Sequence, residues 1–113
     1  MQKMTKVVFL AALLVLSAGC LEGKPVSDTS PQSPATPEEL CMQKCSETLA
    51  AQIDLSVGPC LSNQITADWV CDVAHNPRIE ADNQPENQCE AFREGEAHHF
   101  VELDTECNLI KKH

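Results

Sequence analysis

Two closely spaced cysteines, Cys41 and Cys45, are the first residues of the chain whose types and spacing could carry chemistry. Thiol oxidoreductases lower the pKa of a reactive thiol, commonly in a Cys-x-x-Cys motif at the start of a helix. Here the spacing is longer by one residue and nearby acidic side chains favour the protonated thiol, so thiol–disulfide exchange is the weaker interpretation. Structural disulfides are the stronger one, because six cysteines in a small extracytoplasmic domain predict three disulfides. The six are Cys41, Cys45, Cys60, Cys71, Cys89 and Cys107.

Four other residues are candidates for a transition-metal site: Asp72, His75, His98 and His99. In an extended strand, His98 and His99 point to opposite faces, and so do Asp72 and His75. His98 and Glu102 share a face but would lie about 13 Å apart at ~3.3 Å per residue, too far for one ion. Pairing of His75 with His98 or His99 across neighbouring strands stays open. The alternative function is therefore a metal-binding protein or metal-dependent enzyme that uses these residues.

The remaining polar motifs do not indicate catalysis. The chain lacks the Gly-x-Ser-x-Gly motif of serine hydrolases and the Gly-rich loop that binds phosphates. Residues 82–87 offer oxygen ligands, but without the alternating acids, central Gly and final Glu of a calcium-binding EF-hand loop. We therefore expect a binding protein rather than an enzyme, with no cofactor.

The N-terminus carries a targeting signal. Lys3 and Lys6 precede the uncharged run Val7–Gly19, which at 13 residues is shorter than the roughly 20 that a spanning helix needs. The motif Leu16-Ser17-Ala18-Gly19-Cys20 resembles the lipobox of prokaryotic lipoprotein signal peptides. The resemblance implies cleavage before Cys20, a diacylglyceryl group on its sulfur, and anchoring in the membrane. An ordinary secretory signal that leaves Cys20 free is the alternative.

The chain after this signal is strongly acidic. All seventeen Asp and Glu follow residue 19, against six of the eight Lys and Arg, which gives a formal net charge of −11. Binding to nucleic acid and electrostatic docking on anionic lipid both need Lys and Arg, so we expect neither. Residues 20–36 comprise the lipidated Cys20 and a Pro/Ser/Thr-rich tether, and residues 37–113 form the six-cysteine domain.

For residues 37–113 we predict a small, disulfide-stapled α+β fold. Thr36, Pro37 and Glu39 indicate a helix start with a capping box, and the helix should extend to about residue 52. Its buried face should hold Cys41 and Cys45 together with Met42, Leu49 and Ile53. Parallel side chains on one helix face favour separate partners for the two cysteines, which leaves 12 of the 15 pairings.

The helix should precede a small antiparallel sheet of about three strands. Residues 69–75 read as a strand whose Trp69, Cys71 and Val73 face the helix, while Asp72 faces outward. Residues 98–103 and 107–111 read as a terminal hairpin, and residues 60–65 as a short strand or an irregular segment. A long turn-rich loop covers residues 76–91.

These features indicate a lipid-anchored binding module of the cell envelope, at the outer face of a prokaryotic cytoplasmic membrane or in the periplasm. Its partners would be the membrane, through the lipid on Cys20, and an unidentified envelope protein or small ligand. We place the working surface on the loop 76–88 together with His75, His98 and His99. Deleting residues 80–87 should then abolish partner capture and leave thermal stability nearly unchanged.

Overall fold

The computed structural model describes Gly19, Gly23 and residues 31–113. The predicted lipid attachment site Cys20 and most of the signal and tether lie outside the described residues. Residues 31–36 are exposed and have no regular secondary structure. Residues from Gln32 to His113 form one compact unit. Within the described part of the chain, no helix has the length and hydropathy needed to cross a membrane.

Helix α1 (Pro37–Ala50) begins where the sequence predicts. The backbone N–H of Glu39 donates to Oγ1 of Thr36 (3.2 Å), and the backbone N–H of Thr36 donates to the Glu39 carboxylate (2.7 Å). This reciprocal capping box satisfies N–H groups that the first helical turn leaves without partners.

The predicted buried face of α1 is only partly right. Cys41 and Cys45 are fully buried, but Met42, Leu49 and Ile53 are exposed. The rotation of the helix about its axis is set by two disulfides, Cys41–Cys71 and Cys45–Cys107, which hold its cysteine edge against the sheet. The apolar residues beside that edge therefore face away from the core.

The sheet has four strands and is mixed, which corrects the prediction of about three antiparallel strands. The strands are β1 (Cys60–Thr66), β2 (Trp69–Val73), β3 (His99–Leu103) and β4 (Leu109–Lys112), in the order β1-β2-β3-β4. The pairs β1–β2 and β3–β4 are antiparallel, whereas β2–β3 is parallel. The predicted terminal hairpin is confirmed as β3–β4.

The parallel pair exists because the loop after β2 is a crossover. Parallel neighbours need a connection of a dozen or more residues. Residues 74–98 provide it, with two 3-10 turns (Glu80–Asn83 and Pro85–Asn87) and a short helix α2 (Glu90–Arg93). This segment returns the chain to the starting end of β2, so β3 runs in the same direction.

The two faces of the sheet are covered differently. On one face, α1 packs over a core that contains the predicted helix-facing residues Cys71 and Val73 with Val101 and Leu103. On the other face, Val70 packs with the short α2 region, where the third disulfide joins Cys60 to Cys89. The prediction of three disulfides, with Cys41 and Cys45 bonded to different partners, is confirmed. The second face is only partly covered.

Glycine is required at position 58, just before β1, by the backbone conformation and by the atoms that lie close to it. Its φ is +70°, and a Cβ at this position would clash with the Asp82 carboxylate and lie 3.0 Å from the carbonyl oxygen of Val73. Gly95 has a similar φ of +75°, but nothing lies within 4 Å of an added Cβ. Substitutions at these two positions can therefore distinguish the cost of a left-handed backbone from the cost of steric overlap.

We expect Gly58→Ala to lower the free energy of unfolding by about 2–4 kcal/mol and Gly95→Ala by about 1 kcal/mol. The first change adds the overlap with Asp82 to the left-handed backbone cost, and the second adds the backbone cost alone. Urea unfolding followed by circular dichroism measures both. Equal losses would contradict the close approach of Asp82.

Candidate ligand-binding pocket

A row of side chains crosses the sheet on the face opposite α1. The strand registers pair Cys60 with Asp72, Asp72 with Glu102, and Glu102 with Lys111. Side chains that are paired across neighbouring strands lie on the same face at roughly 5 Å. The sheet therefore presents a disulfide, two adjacent carboxyl groups and an ammonium group, one from each strand in order.

Asp72, Glu102 and Lys111 of this row line a pocket of about 640 Å³, together with Cys89 of the disulfide. Ligand pockets in proteins typically measure roughly 300–1,000 Å³. Its apolar lining comes from Val70, Phe92, Phe100 and Ile110. The rings of Phe92 and Phe100 meet edge to face with their centroids 5.1 Å apart, and Phe92 remains 39% exposed. The pocket thus combines an aromatic wall with a charged floor.

Three of the five Lys and Arg in residues 37–113 line this one pocket. Arg78 pairs with the Glu102 carboxylate (3.1 Å) and donates to the backbone carbonyl of Asp82 (3.0 Å). Arg93 donates to the carbonyl of Pro85 (3.1 Å). The Lys111 ammonium lies over the ring of Phe100, 5.6 Å from its centroid. Each cation thus has a contact with the protein.

Asp72 is the exception among the charged residues of the pocket. Its Oδ1 atom is buried and accepts no hydrogen bond from any residue that the structure describes. Burial, together with repulsion from Glu102, raises the pKa of Asp72 to about 7. Asp72 faces away from the helix as predicted, but it lies in the pocket and not in open solvent.

The segment after β2 is held by Asp82, which is almost fully buried. Its carboxylate accepts hydrogen bonds from the backbone N–H groups of His75 (3.1 Å) and Ile79 (2.9 Å), and it lies 2.9 Å from Nδ1 of His75. Burial raises the pKa of Asp82, but these hydrogen bonds outweigh that effect and the net shift is downward. Asp82 thereby positions His75 and Arg78, which both line the pocket.

Asp82→Asn should lower the free energy of unfolding at pH 7 by about 1–3 kcal/mol, because an amide replaces the charged acceptor of two N–H groups. A lowered folded-state pKa contributes stability above the unfolded value of 3.8, and that stability is lost as the pH falls through the folded-state value. The difference between wild type and variant should therefore shrink below about pH 4. Thermal unfolding from pH 3 to 7 measures it, with Glu47→Gln on the exposed side of α1 as control. A difference that does not change with pH would contradict this role.

The same contacts revise the expected effect of deleting residues 80–87. The deletion removes Asp82 and leaves the N–H groups of His75 and Ile79 without their acceptor. We now expect a loss of thermal stability, so the deletion cannot isolate binding. Substitutions at the pocket surface are the better test.

The predicted histidine candidates do not meet at one site. His75 follows β2 at one end of the sheet, whereas His99 pairs with Trp69 at the other. In a parallel pair, this offset of six residues corresponds to roughly 20 Å. The open alternative of a His75 pairing with His98 or His99 is therefore wrong. No three His, Cys, Asp or Glu side chains among residues 31–113 form a group that could hold a metal ion.

At their own end of the sheet, His98 and His99 have structural contacts. His98 Nδ1 lies 2.6 Å from a carboxylate oxygen of Asp68, and this hydrogen bond lowers the pKa of Asp68. The ring of His99 stacks on Trp69, with the centroids 4.8 Å apart. These contacts tie the start of β3 to the turn before β2.

Sequence reasoning missed most of the pocket. It selected Asp72, His75 and the loop 76–88, which contains Arg78, but not Arg93, Phe92, Phe100 or Lys111. Strand alternation does place Phe100 and Glu102 on one face, and Val70 and Asp72 on one face. What no local pattern indicated was that β2 and β3 are parallel neighbours, which brings the two carboxyl groups together.

No family model, no curated protein and no solved structure matches this chain.

Proposed function

We propose that this protein is a lipid-anchored, extracytoplasmic binding module that takes a small ligand into the pocket on the open face of its sheet. The observation that carries the proposal is Asp72, which lines a pocket of about 640 Å³ and has one buried carboxyl oxygen without a hydrogen-bond partner among the described residues. A buried polar atom without a partner is costly, and such atoms in native proteins commonly mark a functional site.

The scaffold around the pocket supports this function. Cys41–Cys71 and Cys45–Cys107 fasten the helix to one side of the sheet, and Cys60–Cys89 fastens the α2 region to the other. Cross-links limit how far the pocket walls can move, and a pre-formed site loses less entropy when it binds. The ligand could be a free small molecule or an exposed side chain of an envelope protein.

The anchoring part of the proposal rests on the sequence motif that ends at Cys20. A diacylglyceryl group has two acyl chains, which suffice for stable attachment where one chain does not. The Pro/Ser/Thr-rich tether that follows would hold the domain away from the bilayer. Three disulfides suit the oxidising compartment that this placement implies.

Intact mass of the membrane-extracted protein, before and after reduction, tests the anchor. We expect the mass of residues 20–113 plus a lipid group, no alkylation before reduction, and six alkylated thiols after it. Cys20→Ser should move the protein to the soluble extracytoplasmic fraction. A mature form without lipid and with one free thiol would favour the ordinary secretory signal.

A fragment screen by ¹H–¹⁵N correlation spectroscopy tests the pocket. We expect hits to shift the amide signals of Asp72, Phe100 and Glu102, and Phe92→Ala to weaken them about tenfold by removing the exposed part of the aromatic wall. Met42→Ala is the matched control, because Met42 is also 39% exposed but lies on α1. Hits that shift other regions only, or that are equally weakened by both substitutions, would contradict the pocket as the binding site.

A further inference from the structure

Asp72 lines the pocket, and its buried Oδ1 accepts no hydrogen bond from any described residue. We infer that the pocket selects a ligand in which a protonated amine is attached to an apolar body, with the ammonium against Asp72 and the body against Phe92 and Phe100. This inference rests on the proposed binding function and specifies the class of ligand.

The basic groups within residues 31–113 do not supply a donor for the buried Oδ1 of Asp72. Arg78 is used by the Glu102 carboxylate and the carbonyl of Asp82, and Arg93 by the carbonyl of Pro85. Lys111 lies beyond Glu102 in the row across the sheet, because its strand pairs with β3 and not with β2. The Asp72 side chain therefore lines a cavity that a ligand cation can enter, and no Lys or Arg among residues 31–113 forms an ion pair with it.

The surroundings of Asp72 favour a cation over a neutral donor. On β2 itself its neighbours on this face are apolar, and from β1 it faces Cys60, which is in a disulfide and does not titrate. From β3 it faces Glu102, which raises the pKa of Asp72 by repulsion; Arg78, which pairs with Glu102 at 3.1 Å, lowers it by a smaller amount. An ammonium group between the two carboxyl groups would reduce their mutual repulsion, whereas a hydroxyl group would not.

The other charged groups around the pocket have contacts of their own, and of these Asp82 also raises the pKa of Asp72 by repulsion. Lys111 on β4 lies over Phe100, and Arg93 on α2 is bound to a carbonyl. In the segment after β2, His75 is paired with Asp82, so both are engaged within the loop. Asp72 is the group whose charge state a bound cation would change most.

The apolar part of the ligand is indicated by the aromatic wall. The exposed part of the Phe92 ring, the Phe100 ring and Ile110 offer contact area for a body about the size of a phenyl group. Burying such area favours binding at about 25 cal/mol per Å² of apolar surface. A small amine without an apolar body, such as ammonium itself, should bind far more weakly.

Three probes of nearly equal shape test the inference: 2-phenylethylamine, 2-phenylethanol and 3-phenylpropionate. Each is titrated into the ¹⁵N-labelled protein at pH 8 and pH 6, and the amides of Asp72 and Glu102 report binding at the pocket floor. We expect the amine to bind at least tenfold more tightly than the alcohol at pH 8, and the acid to bind most weakly. Because ionised Asp72 is the binding form and its pKa is about 7, the affinity of the amine should fall about tenfold from pH 8 to pH 6.

Asp72→Asn keeps the shape of the side chain and removes its charge. It should lower the affinity for the amine at least tenfold at pH 8 and abolish the pH dependence of that affinity. The affinity for the alcohol should stay within twofold of the wild-type value. Glu47→Gln, on the exposed side of α1, is the matched carboxyl-to-amide control and should change none of these values.

Tightest binding of the acid would overturn the inference in favour of an anion site at Arg93 and Lys111. Equal binding of amine and alcohol, or a pH dependence that persists in Asp72→Asn, would overturn it as well. In those outcomes the pocket still binds a ligand and the proposed function stands. Failure of all three probes to shift the pocket also overturns the inference, and the fragment screen with Phe92→Ala then decides the proposed function separately.

Discussion

Replacing Asp72 with asparagine should stabilise the domain at pH 8 by up to about 4 kcal/mol. Folding raises the pKa of this carboxyl from 3.8 to about 7, mainly through burial and then through repulsion from Glu102. At roughly 1.4 kcal/mol per pH unit, that difference gives the upper limit of the effect, and water in the pocket reduces it. Asparagine fills nearly the same volume without a charge to desolvate.

The direction of the pH dependence follows from the raised pKa. The protonated carboxyl is favoured in the folded state, so its contribution is fully present below pH 3.8 and is lost as the pH rises through about 7. Wild-type stability should therefore fall between about pH 4 and pH 7 through this group, and the Asp72→Asn curve should be flatter over that range. Urea unfolding in steps of half a pH unit measures both curves.

Glu47→Gln is again the control, because its carboxyl group is exposed on the opposite side of the molecule. Its stability curve should follow that of the wild type. An Asp72→Asn variant that is less stable than wild type at pH 8 would mean that Asp72 has a partner in the protein, and the argument for a ligand cation would fail with it. A charged side chain that lowers stability in its own fold is the expected pattern at a site kept for binding.

The second large effect is expected from removing Cys45–Cys107. The two cysteines are 62 positions apart, the widest separation of the three disulfides, and both are buried. Closing a loop of that length restricts the unfolded chain by roughly 4 kcal/mol. Many domains of this size have only about 5 kcal/mol of net stability, so the loss should leave a large unfolded fraction at 37 °C.

The double variant Cys45→Ala/Cys107→Ala tests this without leaving a free thiol. We expect its free energy of unfolding to fall by about 4 kcal/mol, as measured by urea unfolding at 15 °C. Cys60→Ala/Cys89→Ala is the comparison, since it opens a loop with a separation of 29 and leaves α1 attached to the sheet. A loss below about 1 kcal/mol in the first variant would show that α1 is held to the sheet by packing and not by this cross-link.

The sequence predicted the structural features that depend on contacts between residues close in the chain. The capping box at Thr36 and Glu39 predicted the start of α1 because both hydrogen bonds lie within one helical turn. The hairpin of β3 and β4 followed from two apolar runs around a polar turn. The outward direction of Asp72 followed from strand alternation, and its burial did not, because burial depends on the crossover segment that covers the sheet.

Features that depend on contacts between residues far apart in the chain were predicted less well. Helical spacing assigned Met42, Leu49 and Ile53 to the core, yet the disulfides turn the helix so that Cys41 and Cys45 face the sheet. Helical spacing shows which apolar residues share a face, but it carries no information about which residues form disulfides with the sheet. The pairing of the cysteines was likewise undetermined, because any of the 12 remaining arrangements satisfies the same local pattern.

By itself, the sequence determined that this chain needs disulfides, that its domain begins with a helix at Thr36, and that it combines that helix with strands. These depend on composition and on contacts between close neighbours. Only the tertiary structure decided that β2 and β3 are parallel, because that depends on the path of residues 74–98. The parallel register places Asp72 beside Glu102 and keeps His75 about 20 Å from His99, at ~3.3 Å per residue. For this reason the candidate site is a buried carboxyl group in a pocket and not a pair of histidines.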